Sequence, residues 1–348
     1  MTEKGYYEDP FRKEFDAKII YKEQAGDRTI VRLDKTFFYP RSGGQPNDMG
    51  TMDGKPVIDV WMEGDDICHS VMGDLDRDEV TCSLDWDRRF DNMQQHTGQH
   101  ILSQAIYRLL GADSESLHIG AESSSIDIQI ENLGHDDIKA IEDMANAKIF
   151  EDLPIRSCYV ESTSGLDLRK ETSLQKNIRI VEIADFDKTP CGGTHLRSSG
   201  QVGMIKIVRA YKKGKYYRVE FICGRRCLEK MQEQGRVLQS LGNELMVPEG
   251  SIAERVLELV ETSRILAKRN AELEADMFDL KAGSMIAEAP SYHGIKTIIR
   301  ELDDPGLAQG ISKALQDKER LFSALAFKTG KGATLILSSS RDSDIDVG

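Results

Sequence analysis

In the opening stretch of the chain, apolar and polar residues alternate over short runs. Segments such as RTIVRLDKTFFYP and KPVIDVWM are broken by Gly, Asp and Pro, the punctuation that separates strands. Residues 1–88 therefore read as a small β-barrel. From Asp91 the period changes. Met93, His96, Thr97, His100, Ile101, Ala105, Ile106 and Leu109 recur at spacings of three and four, and Gly111 follows as a stop; this predicts an amphipathic helix. A second helix runs through DDIKAIEDMANAKIFED and must end by Pro154, while IDIQI, IRIVEI, VGMIKIVRAY and YYRVEFIC read as strands. Residues 89–224 form an α+β segment.

Beyond it the pattern turns helical. Met231, Leu238 and Leu245 lie seven apart, and Pro248-Glu249-Gly250 makes a turn. Leu259, Leu266, Leu273 and Leu280 then hold one heptad position while Val256, Ser263, Asn270 and Met277 hold the other, so residues 225–289 read as a coiled-coil hairpin whose polar Ser and Asn limit its pairing choices. Intramolecular packing is the bland account of such a stripe, and a homodimer through the hairpin or the last segment is the partner expectation. Residues 290–348 offer a strand in GIKTIIREL, a helix through ISKALQDKERLF and a strand in ATLILSSS, which reads as a truncated α/β domain. The predicted class is α+β.

Composition narrows the function. The 348 residues are 39% apolar and 30% charged, enough to bury real cores. No apolar run approaches the roughly 18 residues of a membrane span, and the amino terminus has no apolar signal core. Six cysteines at 68, 82, 158, 191, 223 and 227 make no dense extracellular framework, so a reducing cytoplasm fits. A net charge of −13 argues against a general nucleic-acid coat. Between Arg197 and Lys230, however, ten cations face two acids, a local charge of +8. Of these, Arg209, Lys212, Lys213, Lys215 and Arg218 fall on a strand pair, placed either to meet phosphates or simply to be solvated.

The candidate chemistry lies in two short segments. In QQHTGQHILSQ, His96 and His100 are four apart, which on a helix puts both imidazoles on one face within reach of one ion. DKTPCGGTHLRSSG adds Cys191 and His195, also four apart, around a Gly pair that allows a tight turn. Either pair alone is weak, because histidines at this spacing arise by chance; the two together make a His3Cys set suited to Zn2+. Cys223 and Cys227 lack a second pair, which argues against a second metal.

HTGQH followed about ninety residues later by CGGTH resembles the editing domain shared by alanyl-tRNA synthetases and free-standing alanyl-tRNA editing proteins. FYPRSGGQPNDMG at 38–50, SLHIGAESSSIDI at 116–128 and RVEFICGRR at 218–226 resemble further segments of that family in the expected order. No segment resembles the class II aminoacylation core, so the long free-standing form is expected. The resemblance implies zinc-dependent hydrolysis of the ester joining serine, or glycine, to tRNA(Ala). Four protein ligands close a tetrahedral site, as structural zinc does. Either one ligand is displaceable, or the ion orients substrate while a neighbouring tRNA hydroxyl helps activate water.

Thr97, Gly98 and Gln99, between the two histidines, are candidate pocket residues, with room beside the Thr-Gly pair for a compact side chain; helix packing is the alternative. Ser42, Gly43, Gly44 and Gln45 are a candidate site wall by resemblance. His118 is either a site residue or a satisfied core imidazole. A non-catalytic tRNA-binding protein with structural zinc, and a metallohydrolase of small amino-acid esters, are the rival functions.

Overall fold

A computed structural model describes residues 1–348 apart from 331, 341, 344, 346 and 348. The chain divides into two compact units, residues 1–235 and 236–348. The first begins with short β1 (Glu3–Lys4), then β2 (Glu14–Ala25), β3 (Arg28–Leu33), short β4 (Lys35–Thr36), β5 (Gly50–Met52), β6 (Lys55–Glu63), β7 (Asp66–Met72) and β8 (Glu79–Leu84). Six of these close into a barrel in the order β2-β3-β7-β6-β5-β8. The alternation seen in the sequence is what fills it: Val31, Leu33, Val57, Val60, Ile67, Val71, Val80 and Cys82 point inward and are buried.

Helix α1 (Trp86–Leu110) leaves the barrel directly. Asp85 caps it by accepting the backbone N–H of Arg88 at 3.1 Å, and Gly111 ends it at φ 63°. The expected amphipathic character is corrected here: every residue from Asn92 to Ile106 is buried, polar ones included. Burial on all sides is tolerable because most of the polar side chains have partners. Gln95, for example, accepts the N–H of Cys223 at 3.0 Å and donates to its carbonyl at 3.1 Å.

β9 (Ser114–Ile119), β10 (Ser124–Ile128), α2 (His135–Phe150), β11 (Ile155–Val160), β12 (Ile178–Ile183), β13 (Asp187–Pro190), β14 (Ile205–Lys213) and β15 (Tyr216–Cys223) complete this unit. They form an antiparallel sheet β14-β15-β10-β9 and a three-stranded sheet β11-β12-β13. Met93, Ile101, Ile106, Ile126, Ile141, Val219 and Phe221 share the core between helices and sheet.

Helix α3 (Arg225–Leu245) contains the boundary between the units, and α4 (Ile252–Glu288) follows. The intramolecular packing expected of the α4 stripe is corrected: among the described residues Leu259, Leu266, Leu273 and Leu280 are left 41–77% exposed. Apart from Ile252 at its start, what α4 buries is its end, where Phe278, Ala282 and Met285 pack with Ile298, Ile311 and Leu325. The second unit's sheet is β16 (Ser291–Tyr292), β17 (Ile295–Leu302), β18 (Leu321–Thr329) and β19 (Gly332–Ser339), with α5 (Pro305–Gln316) against it. The helix expected at 311–322 is thus displaced. Asp304 caps an earlier start by accepting Leu307 N–H, Pro305 fits the first turn, and the chain turns at Arg320 (φ 52°) so that LFSALAFKT becomes β18. Among the described residues no helix is long and apolar enough to cross a membrane.

One buried ion pair joins barrel to helix. Arg89 and Asp48 are both fully buried, and the Nε of Arg89 donates to Asp48 Oδ2 at 2.9 Å. The guanidinium also donates to the carbonyls of Pro10 and Phe37, while Asp48 accepts Tyr39 N–H at 2.6 Å. Removing one partner leaves a buried charge, so Asp48→Ala is expected to cost about 3–5 kcal/mol of stability. Urea unfolding checks this; a midpoint equal to wild type would show that Arg89 is not held by charge.

Candidate metal centre

His96 and His100 stand one turn apart on α1, and Cys191 and His195 lie on the loop after β13. The fold brings the four together: their ligand atoms lie within 4.8 Å of one another, the one such donor group among the described residues. Cys191 Sγ is 3.3 Å from Nε2 of His96 and 3.3 Å from Nε2 of His195. The histidines are buried and Cys191 is half-buried. Gly193 is required by close approach, because a Cβ there would sit 2.0 Å from the His96 ring.

Each imidazole is held through its other nitrogen. Gln45 Oε1 lies 2.8 Å from Nδ1 of His96, Asp187 Oδ2 2.9 Å from Nδ1 of His100, and Thr97 Oγ1 3.3 Å from Nδ1 of His195. Partners of this kind fix ring orientation and tautomer and leave Nε2 to face an ion. They are themselves anchored. Asp187 accepts Arg169 Nε at 2.7 Å and the Thr189 hydroxyl at 3.0 Å, Gln45 donates to Thr194 Oγ1 at 2.8 Å, and Thr97 Oγ1 accepts Leu196 N–H at 3.2 Å. Arg179 ties down the ligand loop by donating to the carbonyls of Cys191 (2.8 Å) and Gly193 (2.9 Å).

Electrostatics favour the ligand state at Cys191 and His195 and oppose it at His100. Burial pushes the Cys191 thiol up, but the imidazoles of His96, His195 and His100 outweigh it and hold the thiol well below its ordinary range. Burial lowers His195 to about 3. His100 goes the other way: burial lowers it, but its hydrogen bonds, first that to Asp187, raise it to about 9. Asp187, although buried, is held below the carboxylate range by His100 and Arg169. A thiolate among imidazoles is a soft N/S donor set, and Sγ–N separations of 3.3 Å approach the roughly 3.5 Å that separates ligands around tetrahedral zinc. The residues fit a zinc ion.

The other candidates fall out differently. Gln45 and Thr97 support histidines, and Gln99 donates to Ser103 Oγ at 2.8 Å, along the helix. The expected room beside Gly98 is filled, since a Cβ there would lie 2.3 Å from Cys223 Sγ. Ser42 to Gln45 make a tight turn with Gly43 and Gly44 at φ 58° and 83°; a Cβ on Gly44 would strike the Leu117 carbonyl at 2.0 Å. The core-imidazole account of His118 is corrected: the residue is exposed on β9. On the β14–β15 hairpin, Arg218 is taken by Asp127 through bonds of 2.6 and 2.7 Å, whereas among the described residues Arg209, Lys212, Lys213 and Lys215 make no ion pair.

Three residues escaped the sequence reading: Asp187, Arg169 and Arg179. Asp187 had a signal, an acid four residues before Cys191; the two arginines are remote in sequence and had none. A cleft of about 590 Å³ opens onto Cys191 and is lined by Lys4, Tyr7, Tyr159, Arg179 and Gly192 among others.

Residues 178–218 match the family model described as the threonyl and alanyl tRNA synthetase second additional domain. The chain is 36% identical over 320 residues to the alanyl-tRNA editing protein AlaX-L of Pyrococcus horikoshii, covering 87% of this chain and 78% of that protein. It is 31% identical to the alanine–tRNA ligase of Ignicoccus hospitalis and 32% identical to that of Pyrococcus abyssi, covering 90% and 86% of this chain but only 36% and 35% of the ligases. With the His3Cys centre assembled and a relative of this similarity matched along most of both chains, the protein belongs to the alanyl-tRNA editing protein family.

Proposed function

We propose that the chain is a trans-editing hydrolase that deacylates mischarged tRNA(Ala), chiefly Ser-tRNA(Ala) and also Gly-tRNA(Ala), at a zinc ion held by His96, His100, Cys191 and His195. The observation that carries this reading is the thiolate–imidazole cluster in which every histidine has its own orienting partner, set at the end of a cleft. Bound there, zinc supplies Lewis acidity toward an ester carbonyl or an attacking water. The chain does the positioning. Gln45, Asp187 and Thr97 hold the imidazoles, the buried histidines exclude water from behind, and half-buried Cys191 marks the side from which an ester arrives. Arg209, Lys212, Lys213 and Lys215 take acceptor-stem phosphates. His118 and the Gly43-Gly44 turn, which meets β9 through the bond from Ile119 N–H to the Gly44 carbonyl, are the remaining candidate site wall. The exposed leucines of α4 support a homodimer through segment 225–289. Four protein ligands favour one second reading, a structural ion in a tRNA-binding protein.

Single-turnover deacylation separates these. The seryl ester is expected to be lost while Ala-tRNA(Ala) persists, with the rate falling by on the order of 10²–10³ in folded Cys191→Ala. No hydrolysis by a folded, zinc-loaded protein leaves the structural-ion reading, and equal activity on a simple seryl ester would point to a small-ester hydrolase. Asp187→Asn is expected to weaken zinc about 10–100-fold in chelator competition; unchanged affinity would mean that the carboxylate does not serve His100. Because His100 holds its proton up to about pH 9, zinc uptake below that pH displaces it. The apparent affinity should rise about tenfold per pH unit toward pH 9 and then flatten, with close to one proton released by this group. A zinc titration in buffers of different ionisation enthalpy measures the release, and a flat profile between pH 7 and 9 would contradict it.

A further inference from the structure

We propose that the cleft ending at Cys191 seats the terminal adenosine of the acceptor end, with the Tyr159 ring as the platform on which its base stacks; this deepens, and rests on, the deacylase reading above. The three-stranded sheet sets the geometry. Tyr159 on β11 stands directly opposite Arg179 on β12, and the backbone N–H of Cys191 donates to the Arg179 carbonyl at 3.0 Å. Tyr159, Arg179 and Cys191 therefore form one row across the sheet. At about 4.8 Å per strand, the row spans roughly 10 Å from aromatic ring to candidate metal ligand. A nucleoside laid along it, base on Tyr159, carries the acyl group on its ribose to Cys191.

The side chains suit that occupant. Tyr159 is 53% exposed in a cleft of about 590 Å³, within the size range of small-molecule sites. Arg179 is 8% exposed and stiffens the floor of the row: one terminal nitrogen serves the Cys191 and Gly193 carbonyls, the Tyr7 ring covers the guanidinium face, and Nε is buried with no hydrogen-bond partner. Lys4 and Arg179 are matched in the lining by Glu8 and Asp65, so the cleft suits an uncharged base and sugar better than a run of phosphates. Splayed, unpaired RNA ends are recognised by stacking of this kind.

A second cleft is the rival seat. It is lined by Arg88, Asn92 and Arg226, and the Asn92 amide, one turn before His96, also has a buried donor without a partner. The test uses full-length, zinc-loaded protein with 5′-AMP as probe, alongside deacylation of Ser-tRNA(Ala). In Tyr159→Ala, 5′-AMP affinity is expected to fall and the half-saturating tRNA concentration to rise, each at least about fivefold, the lower end of the loss of one stacked base. The limiting rate should stay within about twofold, and Tyr159→Phe should restore binding. Losses in Asn92→Ala with none in Tyr159→Ala would overturn the assignment in favour of the second cleft. If wild type binds 5′-AMP through Tyr159 yet hydrolyses no ester, the nucleoside seat stands and the deacylase reading falls. Hydrolysis that is indifferent to Tyr159 would sink the seat alone.

Discussion

The geometry of the candidate metal centre depends on a buried charge pair that takes no part in it, formed two turns before His96 on the same helix. Arg89 on α1 grips Asp48 at the end of the FYPRSGGQPND loop, and its remaining donors take carbonyls at Pro10 and Phe37. Asp48 in turn accepts Tyr39 N–H. The loop is thereby pinned at both ends to the helix that carries the histidines. Between the pinned ends lies Gln45, whose Oε1 orients His96. A buried pair of this kind is seldom worth more than an apolar replacement of the same shape. Its value here is positional: two hydrophobic residues could hold barrel and helix together without fixing where Gln45 stands.

The same logic explains why α1 is polar yet buried. Each polar group taken from water costs free energy unless it finds a partner. In α1 the partners are the elements that must be placed. Gln95 bonds both backbone groups of Cys223, and Gln94 donates to the Gln201 carbonyl at 3.0 Å. His96, Thr97 and His100 bond the loop and strand residues that complete the centre. Gly98 lets β15 approach to the Cys223 sulfur. The helix therefore acts as a key with few tolerable settings, and the candidate ligand histidines are oriented by bonds to the protein itself.

What sequence could and could not reveal follows from the range of the interactions. Alternation and helical period are local, so the barrel strands and the positions of α1 and α2 were legible, as was the pairing of two ligand motifs whose residues sit four apart. Orientation of the ligands was not. Gln45 and Thr97 stood out as candidates because they lie in or beside the motifs, but their roles depend on which nitrogen of which imidazole they reach, a matter of tertiary placement. Arg169 and Arg179 come from outside the motifs altogether. The heptads of α4 misled because periodicity records that a helix has an apolar stripe and not what covers it. At 311–322, helix-forming composition was overridden by a cap at Asp304 and by a central place for LFSALAFKT between β17 and β19.

The basic segment shows the limit of counting charges along a chain. Ten cations between Arg197 and Lys230 stand against two acids in the sequence, yet six are neutralised in space: Arg197 by Asp9, Lys206 by Glu142, Arg218 by Asp127, Arg225 by Glu229, Arg226 by Asp91 and Lys230 by Glu233. Exposed pairs of this sort contribute little stability, but they erase the field that a linear count implies. Among the described residues Arg209, Lys212, Lys213 and Lys215 remain without an ion pair, the three lysines at the tip of the β14–β15 hairpin and Arg209 on β14 behind it. In a body of net charge −13 a confined cationic tip does what a broad basic face cannot. A polyanion meeting such a surface would be attracted at that hairpin and repelled elsewhere, so it would be oriented as well as held. Such a distribution favours orientation of a polyanion over tight binding of it, which a uniformly basic surface does not.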